Sequence, residues 1–302
     1  GGLTKEATNA LSPYKIDLNT WRVDGFMKNG YVFDADLGTS IGIITSASYH
    51  NQQNTYGPRQ WNAAQTNAYL NAIFQTSFDD SATDLWDDHH HNLSAGLSLN
   101  YDGYSEELLL ASNLSPLTYN LNHWEVTSGV FAEYTYTYKD KVTLLMGIRE
   151  DYSTRYGFFT TPRMNIRYAP FEWWTLRGSI GFGYRSPNAI ADNAAYLASN
   201  RMYYFNADSL AQERSMNMGL STIFYIPIGK RELQLSGEYY YTEFHDGVIA
   251  DMDRSLHGIT LYNMHDVDGA RYFSHNWQVE ATMEILRGWT MTAAFRYTDV
   301  KQ

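Results

Sequence analysis

The sequence predicts an all-β fold, a transmembrane antiparallel β-barrel built from about twelve long strands, and three observations carry that reading. Apolar residues recur at every second position along many segments, a period that only a strand supplies. Those segments run to about 10 to 14 residues, against about 5 to 6 for a usual soluble strand and about 9 to 11 for a tilted strand that crosses a bilayer. Short turns alternate with long connections, the asymmetry of outer-membrane barrels.

Taken along the chain, an irregular strand is expected near 16–28, followed by strands at 38–50 and 67–78. The clearest alternation comes next, from Asn92 to Asp102. Leu93, Ala95, Leu97, Leu99 and Tyr101 share one face, and Asn92, Ser94, Gly96, Ser98, Asn100 and Asp102 share the other. Strands follow at 124–138, 142–153, 160–169, 173–185, 213–226 and 232–244, then a less regular one near 259–274, and finally 276–285 and 289–299. Leu97→Arg is expected to cost about 2 to 4 kcal/mol in lipid, and Ser98→Arg to be tolerated.

The tight links are 138–141, 169–172, 227–231 and 286–288, all rich in turn residues. Long connections are expected near 51–64, 103–123, 186–211 and 246–258; the segment from Asp79 to His91 should be short by this rule and is not. Tyr138, Tyr168, Phe171, Trp173, Trp174, Phe224 and Trp289 lie close to the tight links, where an interfacial aromatic girdle belongs.

Composition narrows the function classes. The chain has 302 residues with 33 acidic and 22 basic side chains, a net charge of -11 that argues against a nucleic-acid partner. Cysteine is absent, so disulfides, thiolate metal sites and cysteine nucleophiles are excluded. No apolar run reaches the roughly 18 residues of a spanning helix, and the mean hydropathy of -0.44 suits a barrel, which interleaves polar positions with apolar ones. No signal peptide opens the sequence at Gly1-Gly2-Leu3.

If the apolar face meets lipid, the other face lines a lumen with charges of both signs, including Glu133, Arg149, Asp151, Arg163, Arg167, Arg177, Arg185 and Arg296. Such groups need water, one another or a protein plug, because hydrocarbon offers them no partner. Glu133, Arg163, Arg167, Arg177 and Arg185 are the residues expected to face a plug. The loop from Ser186 to Gln212 carries Tyr196, Arg201, Tyr203, Tyr204 and Phe205, stacking faces and a fixed cation suited to a large ligand. Loop self-packing or contact with lipopolysaccharide accounts for them equally well, and Tyr56, Trp61, Tyr104 and Tyr119 stand in the same position.

Asp87-Asp88-His89-His90-His91 has ligand-type side chains, but neighbours on an extended chain point in alternate directions, so a solvated turn rather than a metal site is expected. The sequence has no phosphate loop, nucleophile elbow, zinc-protease helix or dinucleotide fingerprint. Nothing commits the chain to catalysis or to a resident cofactor.

Thr161-Pro162-Arg163-Met164-Asn165-Ile166-Arg167-Tyr168-Ala169-Pro170, followed by Leu176-Arg177-Gly178-Ser179-Ile180-Gly181-Phe182-Gly183-Tyr184-Arg185-Ser186-Pro187-Asn188, resembles consecutive barrel strands of TonB-dependent outer-membrane receptors. The stretch from Val130 to Tyr136, and Tyr262-Asn263 leading to Gln278-Val279-Glu280, are similar to neighbouring strands of that family. The resemblance runs from about residue 38 to the end. It implies a 22-stranded barrel closed by an N-terminal plug, in the outer membrane of a Gram-negative bacterium, importing ferric siderophores, haem or cobalamin with energy transmitted by TonB. On that basis residues 1–302 are one barrel segment without a plug domain. Its implied partners are TonB through the plug region, a metal-chelate ligand, and outer-membrane lipid and lipopolysaccharide. Two other readings stay open: a self-contained pore of about twelve strands, and a soluble β-rich carbohydrate-binding module.

Overall fold

The computed structural model describes residues 14–78, 88–110, 117–199, 201–254, 257–269 and 271–301. Twelve long strands form one antiparallel sheet in chain order. They are β1 (Ile16–Asp34), β2 (Thr39–Tyr56), β3 (Arg59–Ser77), β4 (His89–Leu110), β6 (His123–Tyr138), β7 (Val142–Ser153), β9 (Arg163–Phe171), β10 (Trp174–Arg185), β12 (Glu213–Ile228), β13 (Arg231–Asp246), β16 (Tyr272–Leu286) and β17 (Trp289–Lys301). Two short strands, β5 (Leu117–Asn120) and β8 (Gly157–Thr160), extend β4 and β7 at one end. A small second sheet joins β11 (Met202–Tyr204), β15 (Gly258–Asn263) and β14 (Val248–Asp251). Among the described residues, β1 pairs only with β2 and β17 only with β16, so the large sheet is open.

Every second side chain looks outward, and the outward set is the apolar one. Leu97, Val130, Ile148 and Phe295 are each more than half exposed, an arrangement that water penalises by roughly 25 cal/mol per Å² and lipid does not. Two aromatic belts bound this face. At the short-turn end, Phe171 stacks on Trp173 at 5.3 Å and Trp174 on Phe224 at 6.1 Å. At the other end stand Tyr101, Trp124, Tyr152 and Phe158, all exposed. Ten residues separate His91 from Tyr101 along β4; at about 3.4 Å each and a tilt of about 45° they rise about 24 Å, close to the apolar band of roughly 25 Å in outer-membrane barrels.

The short turns gather at the first belt. Lys139 and Asp140 adopt left-handed φ values of 49° and 54° between β6 and β7, as a tight hairpin needs.

Four sequence expectations change. The segment 51–64 is not a loop: β2 and β3 continue through it and turn at Gly57, whose φ is 60°. β4 likewise runs on to Leu110 through the expected loop at 103–123. The strand expected near 259–274 divides into β15 and the start of β16, in different sheets. His89, His90 and His91 open β4 instead of forming a turn, with His89 hydrogen-bonded to the Tyr136 hydroxyl at 2.7 Å and His91 to that of Tyr134 at 2.6 Å. Asp87, with most of the long link around it, lies outside the described residues.

Ser98 also differs from expectation. It is only 6% exposed and accepts a 2.6 Å hydrogen bond from Arg149 Nη2, while Arg149 chelates the fully buried Asp151. An arginine at position 98 would place two cations side by side against one carboxylate, so the position is not the permissive one expected.

Candidate functional site at the luminal mouth

The compact hydrophobic core of this chain lies above the membrane face, where the long connections fold over the lumen. The connection from β10 to β12 begins Arg185-Ser186-Pro187-Asn188, and hydrogen bonds lock its first turn. Arg185 donates to Asp192 at 2.8 Å and pairs with Glu213, and Asp192 accepts the Asn188 backbone N–H at 2.9 Å. The Asn188 side-chain oxygen accepts from the N–H groups of Ile190 and Ala191, at 3.1 and 2.9 Å. Its amide nitrogen remains, and it donates to Glu106 on β4, across the mouth.

A short 3-10 helix, Ala191–Ala198, follows. Ile190 and Leu197 are fully buried and join Leu108 and Leu110 of β4, Tyr56 of β2, Trp61 of β3, and Ile259 and Leu261 of the small sheet. These upper strand ends thus turn their inner faces into a floor on which the loops rest. Tyr14 fastens the helix end by donating to the Ala198 carbonyl at 3.0 Å.

Glu106 and Arg59 are buried charged residues at this floor, at 3% and 2% exposure. Trp61 Nε1 donates to one Glu106 oxygen at 3.3 Å and Asn188 to the other. The glutamate lies beyond the outer aromatic belt. Burial pushes its carboxyl above the ordinary carboxylate range, with the two side-chain donors and nearby His123 opposing and Asp192 adding to the rise. Below it the luminal wall carries amides and acids joined to one another: Gln65 donates to Asp102 at 3.1 Å and to the Tyr104 hydroxyl at 3.0 Å, and Asn67 donates to Asp102 at 2.9 Å.

The loop residues expected to meet a ligand are brought together but play different parts. Tyr196 is half-buried and lines a cleft of about 410 Å³ with Phe244 and Met252. Arg201 donates to the Met252 carbonyl at 2.8 Å, and Tyr204 is 51% exposed. Tyr203 has no exposed surface; its hydroxyl donates to the Asn193 carbonyl at 2.9 Å, so here it serves as packing. Among the luminal residues, Arg163 pairs with Glu133, Arg167 donates to the Asp140 carbonyl at 2.7 Å, and Arg185 holds the loop base. Arg167 and Arg177 face each other across β9 and β10. Among the described residues neither forms an ion pair. Like charges directly opposed are destabilising unless a counter-charge arrives.

Sequence reasoning overlooked Glu106 and Asn54. The signal was present for Glu106: its even position continues the luminal series Ser98, Asn100, Asp102 and Tyr104. Among the described residues no group of three or more His, Asp or Glu side chains is placed to hold a metal ion.

Residues 4–302 match the family described as "TonB dependent receptor-like, beta-barrel". Similar solved structures include the siderophore receptor PirA from Pseudomonas aeruginosa, at 12% identity and a TM-score of 0.66 over 95% of this chain and 51% of that one. The copper transporter OprC is 12% identical with a TM-score of 0.63, over 95% and 48%. The Serratia marcescens hemophore receptor HasR, solved with its hemophore HasA and haem, is 12% identical with a TM-score of 0.60, over 94% and 54%. The chain spans about half the length of these structures, and at such identities the likeness is one of fold. No curated protein matches the chain.

Proposed function

Because this chain belongs to the TonB-dependent receptor β-barrel family, we propose that it forms the ligand-recognising and lumen-lining part of an active transporter in the outer membrane of a Gram-negative bacterium. The imported ligand is a metal-bearing chelate, a ferric siderophore, haem, cobalamin or a copper complex, and TonB drives its release through a plug seated in the lumen. The part is played by binding and gating; no chemical step is assigned to it. The observation that carries this reading is the union of two faces on one sheet: an apolar outer belt, and a charged inner wall beneath a folded cap. The cap supplies recognition through Tyr196, Arg201 and Tyr204, with Tyr203 as their buttress. Glu133, Arg163, Arg167, Arg177 and Arg185 supply the contact with the plug, and the opposed Arg167 and Arg177 favour plug carboxylates there. The names of the similar structures, a siderophore receptor, a hemophore receptor solved with its hemophore and haem, and a copper transporter, support the ligand class.

A strain lacking the full-length gene tests this reading on minimal medium with a single ferric siderophore, haem, cobalamin or a copper chelate as the source. Loss of growth or uptake with one of them, restored by the gene and dependent on TonB, is the expected result. Unchanged uptake of all four would remove the proposal.

A further inference from the structure

Beneath the cap, the inner faces of β1 to β4 enclose a cleft of about 450 Å³, a size within the roughly 300 to 1,000 Å³ of small-molecule sites. Its chemistry is unlike that of the arginine-bearing wall on β7, β9 and β10. The amides of Gln52, Asn54 and Gln65 line it with the Tyr104 hydroxyl and the ring of Trp61, and among the described residues no Lys or Arg takes part in its lining. The acids near it are already engaged: Glu106 by Trp61 and Asn188, and Asp102 by Gln65 and Asn67.

Asn54 carries the acceptor that the cleft leaves open. It is 5% exposed, yet among the described residues its side-chain oxygen receives no hydrogen bond. A buried acceptor left so is penalised, and a donor from a bound group would relieve the penalty. Among the described residues no Lys or Arg lines the cleft to hold an anion, His50 is its ionisable base and Arg59 lies outside its lining, and the neighbouring carboxylates oppose negative charge. A hydroxyl is at once donor and acceptor, and so is an amide side chain, so a row of amides matches a row of hydroxyls. The indole beside them offers an apolar face to the C–H side of a ring.

We infer that this cleft binds an uncharged, hydroxyl-rich group, a glycoside or polyol, either as a free ligand or as one part of a larger one. The inference rests on the receptor reading only for how the ligand reaches the mouth. The test is calorimetric titration of the purified full-length receptor in detergent with maltose, cellobiose and lactose, and with ferric citrate as an anionic probe. At least one disaccharide is expected to bind saturably, with affinity falling about tenfold in Asn54→Leu and in the less buried Gln52→Leu, the loss that follows from one hydrogen bond. Circular dichroism establishes that each variant is folded, and Gln52→Leu keeps the test decisive if Asn54→Leu is not. Binding of none of the three sugars, binding indifferent to both substitutions, or ferric citrate binding that depends on the same two residues would overturn the inference. Chelate uptake with no sugar binding would sink this site and leave the transport reading standing; sugar binding at Asn54 with no uptake defect would do the reverse.

Discussion

Leu97 and Leu108 lie on the same strand, and their surroundings are opposite: Leu97 is 64% exposed and Leu108 not at all. Leu97 belongs to the odd-numbered set on β4, which faces outward; Leu108 belongs to the even-numbered set, which faces the lumen. Within the bilayer the outside is the apolar side, so the apolar residues are odd. Above the outer belt the outside is water and the inside is the folded cap, so the buried leucines become even. β3 repeats the inversion, with Leu70 and Phe74 outward in the span and Trp61 inward above it. The strands do not change; the medium on each side of them does.

Each half of that comparison can be broken separately. The largest effect is expected at the floor of the cap, where Leu108→Ala removes a fully buried side chain at a cost of about 2 to 5 kcal/mol. In the full-length receptor, hydrogen exchange should rise across Ala191–Ala198 while the membrane span stays protected. Unchanged exchange would mean that the loops do not depend on this floor. Next, Leu97→Arg should cost about 2 to 4 kcal/mol in folding titrations into lipid vesicles. Ser48→Arg is the luminal control, since Ser48 lies in register with Asp24 on β1 and Asn67 on β3, and it should change stability by less than about 1 kcal/mol. Equal losses would dissolve the distinction between the faces.

The inversion also explains how much was legible in the sequence. The membrane-spanning strands were, because a lipid face and a polar lumen impose a strict period of two, as in Leu93 to Tyr101. The upper strand ends were not. In Asn51-Gln52-Gln53-Asn54 both faces are polar, and past Asp102 the apolar face changes sides, so alternation dissolves at the very place where the strands continue. The cap was legible only as a set of aromatic residues. Burial of Tyr203 and exposure of Tyr204 depend on β11 pairing with β15, more than fifty residues away, and no local pattern encodes that. The Arg185-to-Asn188 segment stood out as a family resemblance; its physical cause, a loop base tied to Asp192 and Glu106, appeared only in three dimensions.

Smaller effects sharpen the cap side of the comparison. Asn188→Ala removes the donor to Glu106 and two backbone-capping bonds, and should loosen the same segment by about 1.5 to 3 kcal/mol in hydrogen exchange; protection equal to the parent would show that the bond across the mouth is idle. The smallest expected effect is with pH. Burial raises the Glu106 carboxyl above its unfolded value, so the folded cap holds the proton to higher pH than the unfolded chain. Its contribution is therefore full at pH below the ordinary carboxylate range and declines as pH rises through and above that range. Proteolysis of the cap should quicken over that rise, and Glu106→Gln should flatten the dependence; a cap that tightens with rising pH would have the sign reversed.

The most direct measurement is a nitroxide scan of single cysteine variants from Leu93 to Leu110 in the full-length receptor reconstituted in lipid, reading collisions with oxygen and with a water-soluble nickel chelate. Oxygen contact should peak at odd positions up to Tyr101, and above it the odd positions should meet the nickel chelate while Leu108 and Leu110 meet neither. One unbroken parity from end to end, or odd positions below Tyr101 that meet neither probe, would contradict a lipid-facing wall with a folded cap above it.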